Sequence, residues 1–134
     1  VVGGGLIGME TACFLASKGS SVTLAEQLES SPVPKYTSHG YSLHKYLREK
    51  QCIFRFGTAV RKIDTEAVTF AAGEQTEEVS GFDQVVLAVG MKPRNALKTD
   101  LENSAIPHTV VGDALEVRRI MEAVEEGARS AWEL

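Results

Sequence analysis

The chain of 134 residues sets 14 Lys plus Arg against 18 Asp plus Glu, a formal net charge of −4, with 43% hydrophobic and 24% charged residues. That balance suits one ordinary globular core and excludes intrinsic disorder. The acidic excess, with no dense run of Lys or Arg, argues against nucleic acid or anionic lipid as a partner, and no apolar run approaches the ~20 residues of a membrane span.

Two cysteines, Cys13 and Cys52, belong to no Cys-x-x-Cys pair, which points to a reducing cytoplasm and away from a disulfide scaffold. The opening at Val1, without initiator Met or leader, reads as a part of something longer.

In chain order, Val1-Val2 reads as the end of a buried strand meeting a glycine turn. Apolar residues Ile7, Met9, Ala12, Cys13, Leu15 and Ala16 predict a helix over 6–18, with Gly19 as its stop. The run 21–25 is a second strand closed by Glu26, which completes a βαβ unit. Pro32, Pro34 and the serines before them predict an exposed loop over 28–35 with few internal backbone partners.

Ser38 is the expected cap of a helix to about Lys50, with Leu43, Tyr46 and Leu47 on one face, followed by a third strand at 52–56. After Gly57 the alternation shortens. Stretches 59–63, 67–70 and 77–79 predict an antiparallel meander in place of a crossover helix. Gln84 to Val89 is the next core strand, 92–107 is irregular with one helical turn near Leu97, and 109–111 is an apolar stub. A long helix from about Glu116 to Leu134 closes the chain, its apolar face formed by Val117, Ile120, Met121, Val124, Ala128 and Ala131, and Trp132 is expected to pack it onto the sheet.

Gly3-Gly4-Gly5-Leu6-Ile7-Gly8 fits G-x-G-x-x-G. In that fingerprint the first glycine makes the turn, the second lets a pyrophosphate approach, and the third packs helix against strand at a helix N-terminus that favours anions. The motif follows a strand, opens a helix, and is answered by acidic Glu26, 18 positions beyond Gly8. Glu26 is therefore expected to take the adenosine ribose hydroxyls and to repel a 2′-phosphate, which favours NADH over NADPH.

His39, His44 and His108 lack ligand spacing and are read as surface or loop histidines. No metal site is expected. Cys13 reads as a small buried hydrophobe. No nucleophile-and-base set is present, so no catalytic residue is assigned.

Three stretches resemble known proteins. VVGGGLIGMETA (1–12) is similar to the start of the NAD(H)-binding domain of pyridine-nucleotide flavoprotein reductases. VVLAVGMKP (85–93) resembles that family's A-x-G-x-x-P turn, and VVGDALEVRRIMEAVEEGARSAWEL (110–134) is similar to its terminal Gly-Asp segment and last FAD-domain helix.

The wording VRRIMEAVEEG most resembles the C-terminal module of 2,4-dienoyl-CoA reductases, enoate reductases and trimethylamine dehydrogenase, which follows an old-yellow-enzyme-like barrel. The resemblance implies that Gly3, Gly4, Gly5, Leu6, Ile7 and Gly8 hold the NADH pyrophosphate and that Glu26 holds the ribose. It further implies that Gly90 lines the cofactor groove, Glu10 lies near the nicotinamide and Asp113 bonds FAD.

The chain has one glycine fingerprint where such enzymes have two, no C-x4-C redox pair, and neither the FMN barrel nor the [4Fe-4S] cysteines of the dienoyl-CoA reductase branch. The expected fold is α/β: a Rossmann-like three-layer domain with a mainly parallel sheet, helices on one face and a meander on the other. Residues 1–111 are expected to be the NADH-binding domain and 112–134 a helix of the FAD-binding domain. The expected role is to position nicotinamide against a flavin within a larger flavoenzyme, the isolated piece being inactive. The alternatives are a nucleotide-sensing regulatory domain and an S-adenosylmethionine methyltransferase.

Overall fold

A computed structural model describes residues 1–133; Leu134, the end of the expected last helix, lies outside the described residues. The chain divides into two compact units, Val1–Val89 and Gly90 onward.

In the first unit, helix α1 (Leu6–Ser17) leads to strand β1 (Thr23–Ala25), helix α2 (Ser38–Glu49) and strand β2 (Ile53–Arg55). Strands β1 and β2 pair in parallel, and Val2 bridges in parallel to Ala25 on one side and to Leu87 on the other. The lanes therefore run β2, β1, Val2, Leu87, as successive right-handed crossovers produce from a central first strand. Between β2 and the Leu87 lane lies an antiparallel sheet of β3 (Ala59–Ile63), β4 (Ala67–Ala72) and β5 (Gln75–Ser80) in that order. The β4–β5 hairpin turns in two residues, with Gly73 at φ +60°, as such a turn requires.

Adjacent strand residues point opposite ways, and β1 shows it. Leu24 joins Met9, Ala12 and Ala16 of α1 and Leu43 and Leu47 of α2 in one buried cluster, while Ala25 packs with Val68 and Phe70 of β4. Helix α1 ends at Gly19, φ +89°, whose N–H donates to the Ala16 carbonyl.

Several expectations are corrected. The cap of α2 is Thr37, not Ser38: its Oγ1 accepts from the Gly40 N–H at 3.1 Å. Gly40 is buried, and a Cβ there would stand 2.1 Å from the Pro34 carbonyl oxygen, so the proline loop lies tightly on the helix. The loop is accordingly anchored, with Val33 buried and its carbonyl bonded to His44 at 3.2 Å. His44 is thus a core residue, 4% exposed, and its ring stacks on Phe54 at 6.2 Å. Cys13 is only half-buried.

Gln84 to Val89 forms no extended core strand. Its backbone is joined to Val2, with Val2 N–H to Val86 O at 2.8 Å and Ala88 N–H to Val2 O at 2.7 Å, and Leu87 and Val89 are exposed although Val85 packs against the Ala25, Val68 and Phe70 cluster.

The second unit holds α3 (Ala96–Asn103), longer than the single turn expected, a 3₁₀ turn at Gly112–Ala114, and α4 (Ile120–Trp132). Residues 109–111 form no strand. Helix α4 starts four residues later than Glu116 because the Arg119 N–H is taken by Glu122 Oε2 at 3.2 Å, and the Arg118 N–H by Asp113 Oδ1, also at 3.2 Å. Ile120, Met121, Val124 and Trp132 are exposed, so the apolar face exists but Trp132 does not pack it down. No helix of the described residues is long and apolar enough to cross a membrane.

Two outcomes follow from this burial pattern. Trp132 is the sole tryptophan and 85% exposed, so intrinsic fluorescence should match free indole in water and be fully quenched by iodide; a blue-shifted, shielded emission would contradict it.

Burial lowers the His44 pKa from its ordinary 6.5; the Val33 carbonyl opposes the shift, and Lys35 and Arg48 add to it. The unfolded chain therefore binds the extra proton first. Stability is fully present above pH 6.5 and declines as the pH falls below it. In denaturant titrations between about pH 7 and pH 5, His44→Phe should remove that part of the decline.

Candidate functional site

The glycine loop is built by contact. Gly3 leaves the first lane with its N–H donated to Ala25 O at 2.8 Å and turns at φ +102°. A Cβ on Gly3 would lie 2.3 Å from the Ala88 carbonyl oxygen, and one on Gly8 would lie 1.9 Å from the Gly3 carbonyl oxygen. These two glycines let the first turn of α1 seat on the strand ends. Gly4 is also enclosed, since its Cβ would meet Glu26 Cβ at 2.9 Å.

Gly5 differs. As the N-cap of α1 it has φ −68° and ψ −179°, extended backbone open to any residue, and no atom lies within 4 Å of where its Cβ would be. Nothing inside the protein needs a glycine there, so the missing side chain leaves space outside it. No side chain caps the helix, and the amides of Leu6, Ile7 and Gly8 lie in the first turn, before the first helical bond from Met9 N–H to Gly5 O at 2.9 Å. A bare helix N-terminus beside an open glycine fits a diphosphate, whose charge the helix dipole favours.

Glu26 completes the cradle. Only 7% exposed, it accepts the Gly4 N–H on Oε2 at 2.7 Å and the Leu28 N–H on Oε1 at 2.9 Å. Its backbone continues the ladder: the Glu26 N–H donates to Arg55 O and the Glu26 carbonyl accepts from the Thr58 N–H, both at 2.9 Å. The carboxylate thus ties the glycine loop to the loop after β1, a role that sequence spacing did not reveal. Each oxygen keeps a lone pair for a further donor. Glu29, on the same loop, places a carboxylate oxygen 2.8 Å from where a Gly57 Cβ would be.

The other expected residues are placed differently. Glu10 is exposed on α1 and bonds His39 Nε2 of α2 at 3.0 Å. Gly90 belongs to the second unit, with φ +103° and open space at its Cβ. Asp113 is exposed and accepts the Arg118 N–H; the neighbouring Gly112 N–H donates to Glu126 Oε2 at 2.8 Å, and Arg118 pairs with Glu126. Among the described residues no group of three or more His, Cys, Asp or Glu gathers to hold a metal. His108 bonds the Ile106 carbonyl locally at 2.8 Å.

Residues 1–119 match the family described as pyridine nucleotide-disulphide oxidoreductase. The chain belongs to that family. It is 34% identical over 135 residues to an NADH oxidase of Thermoanaerobacter brockii, covering 100% of this chain and 21% of that protein. To a bilirubin reductase of Mediterraneibacter gnavus it is 33% identical over 132 residues, covering 98% and 20%.

Among solved structures, a 2-naphthoyl-CoA reductase complex superposes with TM-score 0.82 at 22% identity, over 99% of this chain and 20% of the other. Histamine dehydrogenase from Rhizobium sp. 4-9 gives 0.82 at 20% identity, over 99% and 22%. At that identity the likeness shows the fold alone. The chain spans about a fifth of the length of the curated relatives it matches. NAD(H) and FAD are the cofactors that membership of this oxidoreductase family indicates.

The glycines separate stability from binding. Gly8→Ala forces a methyl into the Gly3 carbonyl and should destabilise by about 1–3 kcal/mol or more in denaturant titrations, whereas Gly5→Ala should leave the midpoint unchanged. Equal losses would mean that Gly5 is needed by the fold itself.

Proposed function

We propose that this chain is the NADH-binding portion of a larger FAD-dependent oxidoreductase, resembling the C-terminal module of 2,4-dienoyl-CoA reductase-like and trimethylamine dehydrogenase-like enzymes. The single observation that carries the reading is Gly5: a fingerprint glycine with open space at its Cβ, at the uncapped start of α1, beside a buried carboxylate. When bound, the two cofactors supply hydride transfer from reduced nicotinamide to flavin.

The residues of this chain bind and orient. First-turn amides of α1, Leu6, Ile7 and Gly8, receive the diphosphate, and Gly3 and Gly8 hold that turn against the strand ends. Glu26 offers its spare lone pairs to the adenosine ribose hydroxyls. A 2′-phosphate at the same place meets the Glu26 carboxylate and no partnering Arg in 27–35, which selects NADH. Gly90 borders the cofactor groove, Glu10 faces the nicotinamide end, and Asp113 serves FAD.

In this reading residues 1–111 are the NADH domain and 112–134 a piece of the FAD domain, and the fold is a three-layer sandwich. Leu24 and Ala25 pointing into different clusters supports the layering. An FMN barrel is the expected neighbour in the whole enzyme. Family membership and the Gly112-Asp113 turn weigh against a purely regulatory module.

Calorimetry of the full chain tests this. NADH should bind at least about tenfold tighter than NADPH, and Glu26→Gln should weaken NADH and narrow the preference, the lost charge being worth roughly 1–3 kcal/mol. Gly5→Val should abolish binding with the fold intact. NADH with an artificial acceptor and no flavin should give no turnover. Absence of NADH binding by the unmodified chain, or tighter NADPH binding, would overturn the reading.

A further inference from the structure

Lys and Arg are scattered in the sequence, yet the fold gathers three of them. A half-open hollow of about 380 Å³ is lined by Lys35, Tyr41, His44, Lys45, Arg48 and Glu49. Lys35 arrives from the loop after β1, and the others from α2. Lys45 is partly balanced by Glu49 at 3.9 Å. Among the described residues, Lys35 and Arg48 enter no ion pair. In a chain of net charge −4 these are two uncompensated cations converging on one concave site.

The floor includes a buried polar group. His44 is 4% exposed, and its Nε2 faces the Val33 carbonyl, an acceptor, so Nε2 carries the proton and Nδ1 of the neutral ring is an acceptor. Proton uptake at Nδ1 would turn that atom into a donor and add a further positive charge. The charged groups around the ring are Lys35 from the loop and Lys45, Arg48 and Glu49 from α2, Glu49 being paired with Lys45, while β2 contributes the Phe54 ring stacked against it.

We propose that this hollow binds a phosphate dianion, as inorganic phosphate or the phosphate of a small monoester, held by Lys35 and Arg48 with His44 protonated on binding. Arg48 supplies a planar fork of donors and Lys35 a point charge, the pairing suited to a tetrahedral oxyanion. Tyr41, 60% exposed, offers a ring wall for whatever carries the phosphate. None of these residues belongs to the glycine loop, so failure of this site leaves the nucleotide reading untouched.

The test is an NMR titration of the full chain with inorganic phosphate, against chloride and acetate at matched ionic strength. Phosphate should shift the His44 imidazole and the Tyr41 and Arg48 signals saturably and raise the His44 titration midpoint. Phosphate loses its second charge as the pH falls through neutrality, so affinity is compared at about pH 7.5, where the dianion prevails. Lys35→Gln with Arg48→Gln should weaken phosphate there at least about tenfold while NADH affinity stays unchanged. His44→Phe should keep the fold and weaken phosphate at the same pH. A response equal to that of chloride or acetate, or one unchanged in the double variant, would overturn the proposal.

Discussion

The Glu26 carboxylate, buried and doubly engaged by the N–H groups of Gly4 and Leu28, is the contact on which the glycine-loop end of the first unit depends. Two loops leave neighbouring lanes of the parallel sheet there with few backbone partners of their own. A buried carboxylate is costly unless its oxygens are hydrogen-bonded, and buried N–H groups are costly unless they donate. Each need meets the other. Because the loops are joined, the first turn of α1 has a fixed relation to the strand ends, and the space beside Gly5 has a definite shape.

Around that tie, sterics do the remaining work. Gly3, Gly4 and Gly8 are filled in by the protein, against the Ala88 carbonyl, the Glu26 side chain and the Gly3 carbonyl respectively, so three of the four motif glycines serve the fold. Gly5 alone is unexplained from within. Fingerprint glycines thus carry two distinct messages, and coordinates separate them where a pattern does not.

Much of the fold was legible because its signals are local. Glycine spacing encodes backbone conformation, the near-continuous apolar run encodes α1, the 3.6-residue period encodes α2, and the Ala72-Gly73 break encodes a two-residue turn. What escaped depends on partners distant in sequence. Thr37 outcompetes Ser38 as a cap because Gly40 is held against Pro34. His44 is buried because the proline loop folds over it, and no feature of its immediate sequence says so. The α4 face illustrates the converse: periodicity finds Ile120, Met121 and Val124 but carries no information about what lies opposite, and Trp132 stands exposed. The Gln84–Val89 run reads as a core strand by composition, yet a strand needs neighbours as well as apolar side chains.

That last segment links local opening to the shape of the glycine loop. Only two backbone bonds join it to Val2, while its Ala88 carbonyl forms the wall against which the Gly3 turn is pressed. A lane so thinly stitched detaches at low free energy, and each detachment loosens the turn that seats α1. Solvent exchange at the Ala88 amide therefore keeps time with fluctuation of that turn, and any element that lengthens this lane also stiffens the start of α1.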